Sequence, residues 1–314
     1  MKGERRKAKG EKGERGEAGV IRPEALNVMP RRSRPFAFRL SPFAFLKYAL
    51  LTAAVLIALL PVYWMATISL KTEADQFAVP PIWLNFKPTW GHYYETFFVR
   101  PFGQYLLTSS IVAVTSTACA LLLGTLAAYS LARFKLPGKL HERLSLWIIS
   151  TRMFPPIVTI IPLFLMMRDL RLLNTLPALV IVYTGFNLPF VVWMMRGFFE
   201  ELPRDLEEAA MVDGDSRLGA LVRVILPLVA PGLAATAIFC LIICWNEFLF
   251  ALILTQTDAS ITLPVGIAGR VTQYEIKWGA MSAAGVVAMI PILVFALAVQ
   301  RYLVRGLSLG AVKG

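Results

Sequence analysis

Long runs without a charged residue dominate the hydrophobic pattern of this chain. The six runs occupy residues 48–70, 101–132, 153–167, 172–195, 224–246 and 278–300. Five of them have at least 23 residues, which is enough for a helix rising about 1.5 Å per residue to cross a hydrocarbon core about 30 Å thick. The third run is shorter, but it extends back through residues 144–151 and is interrupted only by Arg152. The pattern therefore predicts six transmembrane helices.

The overall composition agrees with this pattern. Of the 314 residues, 57% are hydrophobic and 17% are charged, and the mean hydropathy is +0.62. Such values are typical of an integral membrane protein rather than a soluble globule, so we expect an all-α membrane fold. Within the second run, Ser116, Ala120, Gly124 and Ala128 recur at four-residue spacing. This ladder of small residues predicts close packing against a neighbouring helix.

The basic residues are distributed unevenly across the predicted spans. The net charge is +12, which raises the question of a nucleic-acid partner. If the six spans alternate, however, 24 of the 32 Lys and Arg residues fall on one side and seven on the other. The positive-inside rule then places both termini in the cytoplasm. We therefore expect no nucleic-acid partner, and we interpret residues 1–40 as a disordered basic tail that contacts anionic membrane lipid weakly.

The sequence carries little that could perform chemistry on its own. Its three cysteines all lie within the apolar runs and lack the spacing of a disulfide framework or a metal site. A Walker A nucleotide-binding pattern is also missing, because the sole Gly-Lys pair, Gly138-Lys139, has Arg133 where the first glycine belongs. We expect no cofactor, no metal and no catalytic residue, and any energy from ATP that the protein uses must come from another chain.

One charged segment stands between the fourth and fifth runs. Residues 196–223 contain seven acidic and four basic residues. The acidic residues that follow Pro203 suit the positive end of a helix dipole, Gly214 suits a left-handed stop, and Asp215 or Ser216 can cap a second helix. Leu202, Leu206 and Ala210 share one face at four-residue spacing, beside an acidic edge. The segment therefore predicts a helix–turn–helix at the membrane surface, with a face suited to a groove on a partner protein.

This segment resembles the EAA loop of permease subunits of binding-protein-dependent ABC importers. The pattern is matched by Glu208-Ala209-Ala210, by Gly214 and by Leu226-Pro227, with Val224 where isoleucine is usual. The stretches 245–248, 261–266 and 306–314 further resemble the smaller permease of maltose-type sugar importers. The resemblance covers roughly residues 40–314.

The resemblance implies a type I ABC importer permease fold in the cell membrane, inner or plasma. It implies a first transmembrane helix with an external loop at 41–104, a permease core at 105–302 with a cytoplasmic coupling loop at 197–227, and a cytoplasmic tail at 303–314. The implied partners are a second permease subunit, two ATP-binding subunits, an extracytoplasmic solute-binding protein and a sugar substrate. The implied ATPase-coupling residues are Leu206, Glu208, Ala209, Ala210, Gly214, Leu226 and Pro227.

Three residues at the end of the fifth run are candidates for the solute pathway. Glu247, an acid expected inside a span, is a functional candidate beside Asn246, although a structural hydrogen bond between helices is the alternative. Trp245 could stack on a sugar ring or anchor the helix at the membrane interface. Arg152 is also costly within a span, and it could snorkel to the surface or pair with a helix end.

Alternative functions are a permease for a non-sugar solute and, from another class, a secondary transporter. A secondary transporter would need ion-coupling acids in its spans, and Glu247 alone is thin support. A membrane-embedded enzyme lacks a supporting motif.

Overall fold

The computed structural model describes residues 42–134, 137–269 and 276–310, and these residues are predominantly α-helical. The helices are α1 Pro42–Leu70, α2 Glu73–Gln76, α3 Gly91–Tyr94, α4 Phe102–Arg133, α5 Leu140–Thr151, α6 Pro156–Asp169, α7 Leu176–Glu201, α8 Asp205–Val212, α9 Arg217–Ala220, α10 Leu226–Trp245, α11 Leu249–Leu254, α12 Leu263–Ala268 and α13 Trp278–Gly310. Helices α3 and α9 continue into π-helical turns at Glu95–Val99 and Leu221–Ile225. Within the described ranges, the residues from Ala54 onward form one compact unit. The predicted disordered tail, 1–40, lies outside the described residues.

Five single helices in the described ranges are long and apolar enough to cross a membrane. They provide the spans Phe45–Leu70, Phe102–Arg133, Leu176–Glu201, Arg217–Trp245 and Trp278–Ala298. Each agrees with one of the uncharged runs in the sequence. The prediction of an all-α membrane protein is confirmed.

The predicted third span is a broken helix. Its halves, Glu142–Thr151 and Pro156–Asp169, meet at an angle of 88°. Pro155 lies between them in an extended conformation, with ψ of 131°, as sterics favour for a residue that precedes a proline. Because Pro155 and Pro156 also lack backbone N–H donors, the first helix must stop and a new one begin. When this pair counts as one span, the described residues provide six candidate membrane spans.

Helices α4 and α7 pack closely along the predicted ladder of small residues. Ser116, Ala120 and Ala128 are fully buried. A Cβ atom added to Gly124 would lie 2.6 Å from Cγ1 of Val191 on α7, which no real Cβ tolerates. The glycine is therefore required for this approach of the two helices, and the packing prediction is confirmed.

A hydrophobic cluster fills the end of the bundle where α4 and α7 finish and α10 begins, called here the loop end. Phe199, Leu221 and Ile225 are buried in this cluster. The ring of Tyr129 meets that of Phe199 edge-on, with 5.6 Å between the ring centroids. The cluster gives the charged segment that follows α7 a rigid base.

Candidate functional site

Helix α8 ends in a left-handed glycine, as the sequence predicts. Gly214 has a φ of +95°, and its N–H donates to the carbonyl oxygen of Met211 at 3.1 Å. The next N–H, of Asp215, donates to the carbonyl oxygen of Ala210 at 3.0 Å. These two bonds form a Schellman motif, which satisfies the last carbonyl groups of the helix. The chain can then turn sharply into α9.

The second helix of the segment begins with a side-chain cap. Ser216 has an extended backbone, and its Oγ accepts a hydrogen bond from the N–H of Gly219 at 3.1 Å. Of the two capping residues that the sequence allowed, Ser216 therefore fills the role. The following π-helical turn leads into α10. Pro227 lies in the first turn of α10, a position where the N–H that proline lacks is not required.

Much of the predicted coupling surface is exposed in the chain. Leu206, Glu208 and Ala209 are exposed and Ala210 is half-buried. The predicted stripe is wrong at Leu202, because α8 starts only at Asp205 and Leu202 packs against the loop-end cluster. At the start of α10, Leu226 is half-buried and Pro227 is exposed. The described geometry brings α8 and the start of α10 to one end of the bundle.

Glu207 is a residue that sequence reasoning missed. Its side chain is buried and faces the protein. Its Oε1 lies 2.5 Å from Nε of Arg133, and its Oε2 accepts a hydrogen bond from the hydroxyl of Tyr129 at 3.1 Å. The available signal was Arg133 itself, a basic residue at the end of a long apolar run with no acid near it in sequence.

Trp245 and Asn246, two of the three pathway candidates, make packing contacts. The indole of Trp245 is 4% exposed, and its Nε1 donates to the carbonyl oxygen of Ala288 on α13 at 3.2 Å. Its ring meets that of Phe295 nearly edge-on. The amide of Asn246 is exposed and donates to the carbonyl oxygen of Ile242, one turn earlier, at 2.8 Å. A pathway role for either residue remains a prediction.

Glu247 lies between two helices rather than inside one. Helix α10 ends at Trp245 and α11 begins at Leu249, so the predicted position within a span is wrong. The carboxylate accepts hydrogen bonds from the N–H groups of Phe250 and Ala251, at 2.8 and 3.2 Å, and from the hydroxyl of Tyr183 at 2.5 Å. It therefore satisfies the open N-terminus of α11 and links it to α7, the structural alternative that the sequence left open.

Arg152 lies at the break between α5 and α6. Its guanidinium carbon is 4.8 Å from the ring centroid of Phe190, on α7. It also lines a cavity of about 300 Å³ together with Gly185 and Phe186. In the ranges that the structure describes, no carboxylate forms an ion pair with it, and the aromatic ring supplies its favourable contact.

In the described part of the chain, no three His, Cys, Asp or Glu residues come close enough together to hold a metal ion. The buried charged groups at the loop end are engaged with one another, and Glu247 is engaged with backbone donors. This arrangement is suited to holding helices in place rather than to bond-making chemistry.

Comparison with known proteins identifies the family. Residues 120–309 match the family model described as binding-protein-dependent transport system inner membrane component. The chain is 41% identical over 256 residues to a sulfoquinovosyl glycerol transport system permease protein of Agrobacterium fabrum, covering 82% of this chain and 89% of that protein. It is 40% identical over 268 residues to a trehalose transport system permease protein of Mycobacterium tuberculosis, covering 84% and 95%.

A solved structure shows the same fold. It is a crystal structure of a bacterial ABC transporter involved in the import of the acidic polysaccharide alginate. The similarity has a TM-score of 0.70 at 25% identity and covers 86% of this chain and 99% of the matched chain. The chain therefore belongs to the binding-protein-dependent transport system inner membrane components, and it is a multi-pass permease subunit of an ABC importer.

Proposed function

We propose that this chain forms half of the translocation pathway of a sugar importer and that α8 couples this pathway to ATP hydrolysis by separate subunits. The observation that carries the proposal is the exposed face of α8, ended by the left-handed Gly214 at the position where the EAA pattern has its glycine. A short exposed helix on a buried base can enter a partner's groove without unfolding. Two ATP-binding subunits, a second permease subunit and an extracytoplasmic solute-binding protein complete the proposed assembly.

A sugar is the favoured substrate class. The relatives named for trehalose and for sulfoquinovosyl glycerol share about two-fifths of their aligned residues with this chain over most of its length. A permease for a non-sugar solute is the alternative that remains, since family membership excludes a secondary transporter. Uptake by the reconstituted importer of trehalose or sulfoquinovosyl glycerol, but not of glutamine or sulfate, is the expected result. The reverse selectivity would reject the sugar assignment.

The proposed orientation places both termini and α8 in the cytoplasm. It rests on the excess of basic residues on one side of the alternating spans. Cysteines introduced at Gly91 and at Asp213, both exposed, provide a direct test in a background without the native thiols. A membrane-impermeant maleimide should label the first in intact cells and the second only after permeabilisation. Labelling of both from outside contradicts this topology.

The proposed coupling surface is tested by ATPase capture, which is the amount of ATPase subunit that co-purifies with the permease. Glu208→Ala removes an exposed carboxylate from the first turn of α8, where a groove on the ATPase would contact it. We expect the complex to retain less ATPase subunit after purification, with lower hydrolysis stimulated by the binding protein. Glu73→Ala is the matched control, because Glu73 is an exposed acid in the first turn of α2. If Glu208→Ala captures ATPase as the wild type does while only sugar selectivity changes, α8 is not the coupling element.

A further inference from the structure

One buried side chain of helix α8 reaches the end of α4. Within α8, all of which the structure describes, Glu207 is the buried residue. The side chains of Arg133 and Glu207 are 6% and 11% exposed, so their ion pair is almost entirely removed from solvent. The hydroxyl of Tyr129 donates to the second carboxylate oxygen. We name these three residues the loop-end clamp.

The clamp joins three helices at one point. Arg133 is the last residue of α4, and its Nη2 also donates to the carbonyl oxygen of Leu202, which caps α7, at 3.2 Å. In the opposite direction, Nη2 of Arg204 donates to the carbonyl oxygen of Ala132 at 3.4 Å. Helix α8 is thus bonded to the end of α4 by side chains from both sides. Any displacement of α8 must move α4 or break these bonds.

Burial makes the clamp stiff. Charged hydrogen bonds out of water are short and directional, and removing one partner leaves the other charge buried without compensation. Helix α4 is in turn locked against α7 by the contact of Gly124 with Val191. A displacement at α8 therefore reaches the paired spans through packed atoms, which have little freedom to absorb it.

The two neighbouring acids of α8 face different surroundings. Glu208 is exposed, whereas Glu207 is turned into the clamp. Successive positions on a helix are about 100° apart, so a pair of adjacent acids can serve two surfaces at once.

We propose that the loop-end clamp is the mechanical link that carries the movement of α8 into α4, with Glu207 and Arg133 as its positioning residues. This inference rests on the proposed function, in which α8 contacts the ATPase. Glu208 serves that contact, and Glu207 serves the transmission that follows it.

The test uses the whole importer in lipid nanodiscs, with N-ethylmaleimide as the probe. Cys119 is a half-buried native thiol on α4, and its labelling can be followed by peptide mass spectrometry. In the wild type, trapping with ATP and vanadate should change the labelling rate of Cys119 about fivefold, a typical size for coupled sites. Glu207→Gln should retain its ATPase subunits and reduce this change to less than about twofold. No nucleotide-dependent change in the wild type would overturn the proposal.

Two further variants separate transmission from folding. The exchange Arg133→Glu with Glu207→Arg restores an ion pair and should recover part of the nucleotide effect. Tyr129→Phe removes one hydrogen bond while keeping the ring, so it should give an intermediate effect even if Glu207→Gln fails to accumulate. Lys277→Gln is the control, because it breaks an ion pair between Lys277 and Glu95 elsewhere in the fold, and it should behave as the wild type.

The outcomes distinguish the proposed transmission through the clamp from the proposed contact of α8 with the ATPase. Loss of ATPase capture in Glu207→Gln, as in Glu208→Ala, would make Glu207 part of the docking surface and overturn the clamp. If Cys119 in Glu207→Gln or in Tyr129→Phe responds to nucleotide as it does in the wild type, the clamp residues only pack against one another. That result also overturns the proposal. A wild-type chain that captures no ATPase subunit would reject the proposed function itself.

Discussion

The connection between α7 and α10 and the break after α10 are both polar interruptions next to an apolar span, but they are built differently. In the first, a left-handed Gly214 and the Ser216 cap define the turn, and both act on residues within four positions. In the second, Glu247 caps α11 and is fixed in part by Tyr183, which lies 64 positions away. The connection between α7 and α10 can be predicted from the sequence because its signals are local. The second depends on a distant helix, and the sequence pattern placed its acid wrongly inside a span.

The largest expected loss of stability follows from breaking the contact between Arg133 and Glu207. This is a long-range contact in the connection between α7 and α10, whose other signals are local. Arg133→Leu leaves the carboxylate of Glu207 buried without its cation, so we expect a loss of about 3–5 kcal/mol of unfolding free energy. The double variant Arg133→Leu with Glu207→Leu replaces the pair by apolar side chains, and it should recover most of that loss. Denaturant unfolding of the purified protein in detergent measures both. A double variant no more stable than the single one contradicts an assignment of the loss to an uncompensated buried charge.

Glu247 provides the corresponding test in the other region. Glu247→Ala removes the acceptor for two backbone N–H groups and for the hydroxyl of Tyr183, so we expect a loss of about 1–3 kcal/mol in stability. Proteolysis between α10 and α11 should become faster, because the start of α11 loses its cap. Asn246→Ala is the neighbouring control, since its amide donates to the carbonyl oxygen of Ile242, one turn earlier in the same helix region. A variant of normal stability with altered sugar uptake would instead favour the pathway role for Glu247.

These two contacts also show what the sequence can determine. The spans, the small-residue ladder with Gly124, and the stop at Gly214 follow from hydrophobicity, size and backbone conformation, which are local properties. The 88° break at Pro155 is not determined by the local pattern, because prolines signal a bend but not its angle. The burial of Glu207 was missed because its partner Arg133 lies 74 positions away, and only the packing of α4 against α7 brings them together.

Replacing two glycines near the loop end should give effects of opposite sign. Gly214→Ala places a Cβ on a residue with φ of +95°, which should lower stability by about 1–2 kcal/mol. Gly197→Ala lies in helix α7 with open space around the new Cβ, so it should raise stability by about 0.5–1 kcal/mol. Thermal unfolding of both variants side by side gives the comparison. Equal shifts in the same direction would show that backbone conformation does not determine the turn after α8.

The smallest expected loss of stability is at Trp245, the most deeply buried pathway candidate. Trp245→Phe keeps an aromatic ring next to Phe295 and removes the hydrogen bond to the carbonyl oxygen of Ala288. The net loss should be about 0.5–1.5 kcal/mol in stability, with the concentration dependence of sugar uptake unchanged. Trp193→Phe is the control, because Trp193 is an exposed tryptophan on α7. If Trp245→Phe instead raises the half-saturating sugar concentration at normal stability, the ring contacts the solute during transport, and the contact with α13 must open to admit it.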